Sequence, residues 1–240
     1  LRNALDEQTT IALEQQARLI EEDSETAVVV VAGEGPSFCA GGDFRHFLAA
    51  AEHDGVVAFL TRLSAVLERI EASSKPWVAA LHGHAIAGGL EIALVCDVVI
   101  AATGTAIADG HVMNRLLPAA GSSVRLERAV GKSAARWMHL SGEPQTAEEL
   151  HRLGWVHEVV AADHLRDRAQ AIAERLASRH SGTQQNMKRL LTAIDEMDAD
   201  AALEYELDAF GQNWERSETA SALQTFLSRR EPARGERTGS

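Results

Sequence analysis

Residues 75–102, KPWVAALHGHAIAGGLEIALVCDVVIAA, decide how the rest of the chain is read. The stretch is apolar for most of its length, yet His82, Gly83, His84, Gly88, Gly89, Glu91 and Asp97 interrupt it. A membrane span would carry ionisable groups at its centre only at high cost. It therefore reads as buried segments of a globular protein: a strand at 77–81, a glycine-rich turn, a helix at about 88–95 and a second strand at 97–101. Gly88 and Gly89 lack a Cβ, so another molecule can approach their backbone closely. Their N–H groups fall at a helix start, where donors are unpaired and the dipole favours negative charge. Glu91 lies just inside that helix in an otherwise apolar setting. The pattern suits an oxygen that gains charge beside an acid–base carboxyl. It suits equally well close helix packing with a carboxylate that complements the dipole.

The totals narrow the class. At 240 residues the chain fits one large domain or a core with an appendage. Its net charge of −12 argues against nucleic acid as a partner, because phosphate binding needs a basic face. Cys39 and Cys96 sit in apolar surroundings without metal-ligand spacing, which points to packed thiols in a reducing, cytoplasmic setting. No cluster of His, Cys and carboxylates has metal spacing, so no metal is expected. No G-x-S-x-G elbow occurs, and Ser37 and Phe38 spoil a dinucleotide fingerprint after Gly33. The chain opens at Leu1 rather than Met, and targeting is not judged from it.

Taken in order, 5–22 reads as an amphipathic helix and 26–32 as a buried strand. The loop GEGPSFCAGGDF follows at 33–44, then helix over 45–72 with a break at 53–55. Residues 103–123 form a long irregular segment, a length that marks functional loops. Helix is expected at 124–140 and again at 146–153, where Thr146 and Glu149 have capping-box spacing. A strand at 155–160 precedes a run of helices at 163–180, 183–194, 201–216 and 218–229. Alternating strands and helices followed by helices alone mean an α/β core, 1–162, with a helical C-terminal region, 163–240.

Several of these stretches together resemble the enoyl-CoA hydratase/isomerase (crotonase) superfamily, nearly end to end. Asn3-Ala4-Leu5 resembles the N-A-L that opens the family's first helix, and SFCAGGD at 37–43 its F-x-A-G-x-D loop. Residues 75–91 resemble K-P-x-I-A-A-x-x-G-x-A-x-G-G-G-x-E, and Cys96-Asp97 the C-D of the next strand. Ser141-Gly142, 147–149 and 152–156 follow the family's T-G, A-E-E-A and G-L-V segment, and FLSRREP at 226–232 its terminal motif. The family's opening strand has no counterpart here, so the N-terminus is taken as trimmed. The resemblance implies a crotonase-like spiral of ββα units with a C-terminal trimerisation region, forming a homo-trimer or a dimer of trimers. It implies an acyl-CoA thioester substrate, with coenzyme A part of the substrate and no separate cofactor. By position, the N–H groups of Gly42 and Gly88 would hold the thioester oxygen, a form of stabilisation worth about 3 kcal/mol per donor. Ala40, Asp43, Arg45 and Arg229 fall where the family contacts its substrate.

One departure matters most. Hydratases of the family use two glutamates about twenty residues apart. Glu91 falls on the first place and His111 on the second, with Asp109 nearby. Histidine transfers protons near neutral pH, so Glu91 and His111 can form a mixed acid–base pair for hydration or isomerisation. His111 can instead serve hydrolysis of a C–C bond or of the thioester, or the site can bind acyl-CoA without turning it over. The family's P-G-A-G-G is here 118–122, PAAGS, with Asn114 and Arg115 where small or apolar residues are usual.

Overall fold

The computed structural model describes residues 2–51, 55–195, 197–216 and 218–228. They divide into two compact units, 1–179 and 180–240. In the first, four parallel strands lie in the order β1-β2-β4-β7: β1 (Val29–Ala32), β2 (Trp77–Leu81), β4 (Val98–Ala102) and β7 (Val156–Val160). A second, small sheet holds β3 (His84–Ile86), β5 (Ala106–Ala108) and β6 (Gln145–Thr146), with β3 and β5 parallel and β6 antiparallel to β5. Two turns of the spiral thus run from a long strand to a short strand in the other sheet and on to a helix. β2 and β3 lead into α4 (Gly88–Leu94), and β4 and β5 lead through a 3-10 turn (His111–Asn114) to α5 (Ser122–Val130).

β2 is buried at all five positions, as a central parallel strand covered on both faces must be. Val78 and Ala80 face α8 (Leu165–Ala177), packing with Ile100, Leu165, Ala169 and Ile172. Ala79 and Leu81 turn to the larger core with Leu67, Leu90, Ile107 and Leu126. That core is covered by α1 (Glu7–Glu22) and α3 (Gly55–Ala72), which pack on each other. Asp6 caps α1 by accepting from the Thr9 N–H at 2.7 Å. At the other end buried Lys75 donates its ammonium to the carbonyls of Ile20 and Asp23. Lys75→Met should therefore cost about 2 kcal/mol in urea unfolding, since it removes the charge-assisted hydrogen bonds of a buried ammonium, while activity per folded molecule stays unchanged.

Several expected boundaries move. The expected strand at 26–32 begins only at Val29, which pairs with Trp77 at the first residue of β2. The helix expected over 124–140 is two, α5 and α6 (Lys132–Ser141), broken at Gly131 with φ 80°. The capping box at α7 (Ala147–Arg152) is present, with Glu149 reaching back to the Thr146 N–H at 2.7 Å. The second unit is helical: α9 (Ser181–Ile194), α10 (Ala199–Arg216) and α11 (Thr219–Ser228). Among the described residues no helix is long and apolar enough to cross a membrane.

Candidate active site

The loop after β1 and the turn before α4 are built toward one another. The Leu5 N–H donates to the Gly41 carbonyl at 2.8 Å and the Asp43 N–H to the Leu5 carbonyl at 2.8 Å, a single parallel bridge that clamps Gly42. The Cys39 N–H donates to the His84 carbonyl, and Cys39 accepts from the Ile86 N–H, each at 3.0 Å, fixing the same loop against β3. Among the described residues no group accepts the N–H of Gly42 or of Gly88. The second of these is aimed by Ala87, held at φ 49°, ψ −112°. That conformation costs a non-glycine residue about 1–3 kcal/mol, and two hydrogen bonds sustain it: Ala87 N–H to Ala108 O and Glu91 N–H to Ala87 O, each at 2.9 Å.

Both glycines line a cavity of about 320 Å³ together with Ala40, Glu91, His111 and Asn114. Its remaining wall is apolar, notably Phe44, Phe47, Phe59, Leu63, Leu116 and Leu117. Phe47 packs edge-on against Phe59, their ring centres 5.7 Å apart. A Cβ at position 42 would meet the Phe47 ring at 2.7 Å, so glycine there leaves room for the ring and keeps the backbone bare.

Glu91 is buried, and its Oε1 accepts the N–H groups of Ala120 at 2.9 Å and Ser122 at 3.2 Å. Those donors belong to the turn that opens α5, so two backbone dipoles compensate the buried carboxylate. Arg125 secures that turn. Its Nη1 donates to the Ala120 carbonyl at 3.0 Å, while Nε and Nη2 donate to the Glu71 carboxylate on α3 at 2.9 and 2.7 Å. Gly121 sits at φ 108°, a left-handed conformation that side chains other than glycine's rarely adopt, and a Cβ there would also push the Arg125 guanidinium aside.

His111 opens the 3-10 turn, with its Nδ1 3.1 Å from Asp109 Oδ1. Asp109 Oδ1 also accepts from Ser122 Oγ at 2.6 Å and lies 3.3 Å from His139 Nδ1. Burial works against the Asp109 charge, but the hydrogen bonds from His111 and Ser122 and the nearby histidines prevail and hold its pKa at about 2. Burial likewise opposes the His111 imidazolium; the hydrogen bond and charge of Asp109, joined by Glu91, outweigh it and raise the pKa above the ordinary histidine value. His139 Nε2 is buried with no hydrogen-bond partner among the described residues.

Of the residues singled out from sequence, Gly42, Gly88, Glu91, His111 and Ala40 meet on this cavity. Asp43 caps α2 (Phe44–Ala50), accepting the N–H groups of Arg45 at 2.7 Å and His46 at 3.4 Å. Arg45 is exposed in the first turn of that helix. Arg229 lies outside the described residues. Ser122, His139 and the aromatic wall join the site only through the fold. Only the Asp109–His111 spacing and the altered PAAGS segment hinted at this network.

A sequence profile of the enoyl-CoA hydratase/isomerase family matches residues 1–237. The chain is 31% identical over 229 residues to a short-chain-enoyl-CoA hydratase of Clostridium acetobutylicum, covering 95% of this chain and 87% of that one. It is 30% identical over 231 residues to a 2,3-dehydroadipyl-CoA hydratase of Escherichia coli, covering 96% and 89%. The crystal structure of an enoyl-CoA hydratase from Bacillus anthracis superposes with a TM-score of 0.90 at 28% identity, covering 96% of this chain and 90% of that one. A match along almost the whole chain, in sequence and in backbone, places this protein in the enoyl-CoA hydratase/isomerase family.

Proposed function

We propose that the protein adds water across the α,β double bond of an enoyl thioester of coenzyme A, or removes it in the reverse direction. The observation that carries this reading is the convergence of two unshared N–H groups, Gly42 and Gly88, with Glu91 and His111 on one apolar cavity. Donors so placed stabilise the enolate oxygen that forms when a nucleophile adds to the β-carbon. Glu91 Oε1 is occupied by backbone donors, which leaves Oε2 to take a proton from water. The water oxygen bonds to the β-carbon, the π electrons move onto the thioester oxygen, and the enolate collapses by taking the Nε2 proton of the His111 imidazolium at its α-carbon. Proton return from Glu91 to His111 restores the site. No cofactor other than the coenzyme A of the substrate enters these steps.

A second reading has its own support. An Asp–His pair beside an oxyanion site is also an arrangement that activates water against a carbonyl carbon, which would make the enzyme an acyl-CoA hydrolase. A panel of crotonyl-CoA, bulkier enoyl-CoAs and β-ketoacyl-CoAs, followed by mass, separates the readings. Gain of 18 Da with CoA attached, located at the β-carbon by fragmentation, is the result expected from hydration. Free CoA identifies a thioester hydrolase, and binding without any chemical change identifies an acyl-CoA binding protein.

The same family reading supports assembly as a trimer or a dimer of trimers. α10 and α11 bury none of their residues, yet carry Leu203, Leu207, Phe210, Trp214 and Phe226 exposed, as helices awaiting a protein surface do. A cytoplasmic setting agrees with two free cysteines, Cys39 and Cys96.

A further inference from the structure

Where the family resemblance calls for a second glutamate this chain has His111, and a carboxylate is buried directly behind it. Asp109 is 1% exposed, and one oxygen, Oδ1, gathers Ser122 Oγ, His111 Nδ1 and His139 Nδ1. Gly110 makes the juxtaposition possible. It sits at φ 65°, in the left-handed region, and turns the chain from β5 into the 3-10 turn. His111 Nδ1 therefore faces Asp109, and the residue itself lines the cavity.

Resting on the hydratase reading above, we propose that Asp109 is a positioning residue that holds His111 with its Nδ1–H turned inward and Nε2 toward the substrate. Together they form a neutral unit with one transferable proton. A bare histidine would put a net positive charge on the place of a protonated glutamic acid. An Asp109 carboxylate paired with a His111 imidazolium has no net charge, as glutamic acid has none, and offers one proton at one atom. Losing that proton leaves a single negative charge, again as glutamic acid would.

Ser122 ties this unit to the other half of the site. Its N–H donates to Glu91 Oε1 and its hydroxyl to Asp109 Oδ1, so one residue sets the positions of both carboxylates. The charged and titratable groups around His111 are Asp109 at the end of β5, Glu91 on α4 and, through Asp109, His139 on α6. Arg125 on α5 is turned away to Glu71 and the Ala120 carbonyl. The negative groups thus predominate at the ring, which agrees with its raised pKa. An imidazolium that delivers a proton is present at low pH and lost as pH rises through that raised value, so hydration should fall along a basic limb above the ordinary histidine value of 6.5.

Asp109→Asn tests the proposal with crotonyl-CoA as substrate. It should lower kcat by about 10²-fold or more with little change in KM, and should move the basic limb to lower pH, because the amide removes the charge and permits the wrong tautomer. Ser122→Ala, which keeps the N–H to Glu91, should give a smaller loss, about tenfold. A folded Asp109→Asn enzyme with wild-type kcat and an unmoved basic limb would overturn the proposal. His111→Gln in the same assay separates the two levels. Full activity there would overturn the acid–base reading itself, whereas loss there with a normal Asp109→Asn enzyme overturns only the positioning role. Should Asp109→Asn not fold, ¹⁵N NMR of the wild-type ring decides. Above the basic limb, neutral His111 should carry its proton on Nδ1, and a proton on Nε2, the form free histidine prefers, would contradict the proposal.

Discussion

Glu91→Gln is expected to lower kcat for hydration by about 10²- to 10⁴-fold, the range ascribed to a positioned acid–base group, while affinity for a coenzyme A ester is retained. Glutamine is nearly isosteric with glutamate. Its carbonyl oxygen can keep the hydrogen bonds from Ala120 and Ser122 that now end on Oε1. What changes is the second oxygen, which becomes an amide NH₂ and cannot accept a proton from water. The folded site, its cavity and the two backbone donors remain. Steady-state rates with crotonyl-CoA, beside calorimetric binding of butyryl-CoA, check both halves. Undiminished turnover would remove Glu91 from the chemistry, and lost binding would show that the side chain holds the fold of the site rather than the reaction.

The second large effect concerns the frame that aims the two N–H groups proposed as oxyanion donors. A Cβ at Gly89 would lie 2.3 Å from the Cys39 carbonyl oxygen and 2.9 Å from Cys39 Cβ. Cys39 cannot yield easily, because its N–H and carbonyl are both engaged with β3, at His84 and Ile86. Gly89→Ala must therefore separate α4 from the 39–42 loop, the two segments that carry the N–H groups of Gly88 and Gly42. The expected cost is about 3 kcal/mol, at the upper end for overpacking a filled core, accompanied by a fall in kcat. Gly88→Ala provides the contrast. Its Cβ would come close to Leu5 Cδ1, at 2.7 Å, the movable end of a side chain, and would otherwise make ordinary contacts at 3.8 and 3.9 Å. Urea unfolding should find Gly88→Ala much closer to wild type than Gly89→Ala, and equal midpoints would contradict this account of the packing.

The parts of the fold legible in the sequence are those fixed by local chemistry. The five apolar residues of β2, the glycines that open α4 and the Thr146–Glu149 capping box each carry their structure within a few neighbours. The short strands β3, β5 and β6 were not legible, because two or three residues become a strand only through partners 20 to 40 positions away. Likewise β1 starts at Val29 because β2 offers its first partner at Trp77. The glycines and Glu91 stood out as interruptions of an apolar run, and His111 by its distance from Glu91. The Asp109–Ser122–His139 cluster was hidden for a physical reason: its members come from the residue after β5, from α5 and from α6, and they meet only in the folded chain. Asp43 and Arg45 fall with the substrate by resemblance, and the structure adds that Asp43 caps α2 and Arg45 stands exposed in its first turn.

The proposed addition is two-ended, with oxygen delivered at the β-carbon through Glu91 and hydrogen at the α-carbon through His111. Its most direct test is a brief incubation with crotonyl-CoA, first in H₂¹⁸O and then in D₂O, with the product analysed by tandem mass spectrometry. One ¹⁸O at the β-carbon, one deuterium at the α-carbon and coenzyme A still attached are expected, with neither label gained by the Glu91→Gln enzyme. Free coenzyme A with ¹⁸O in a released carboxylate, or an intact ester with no label at all, would contradict it.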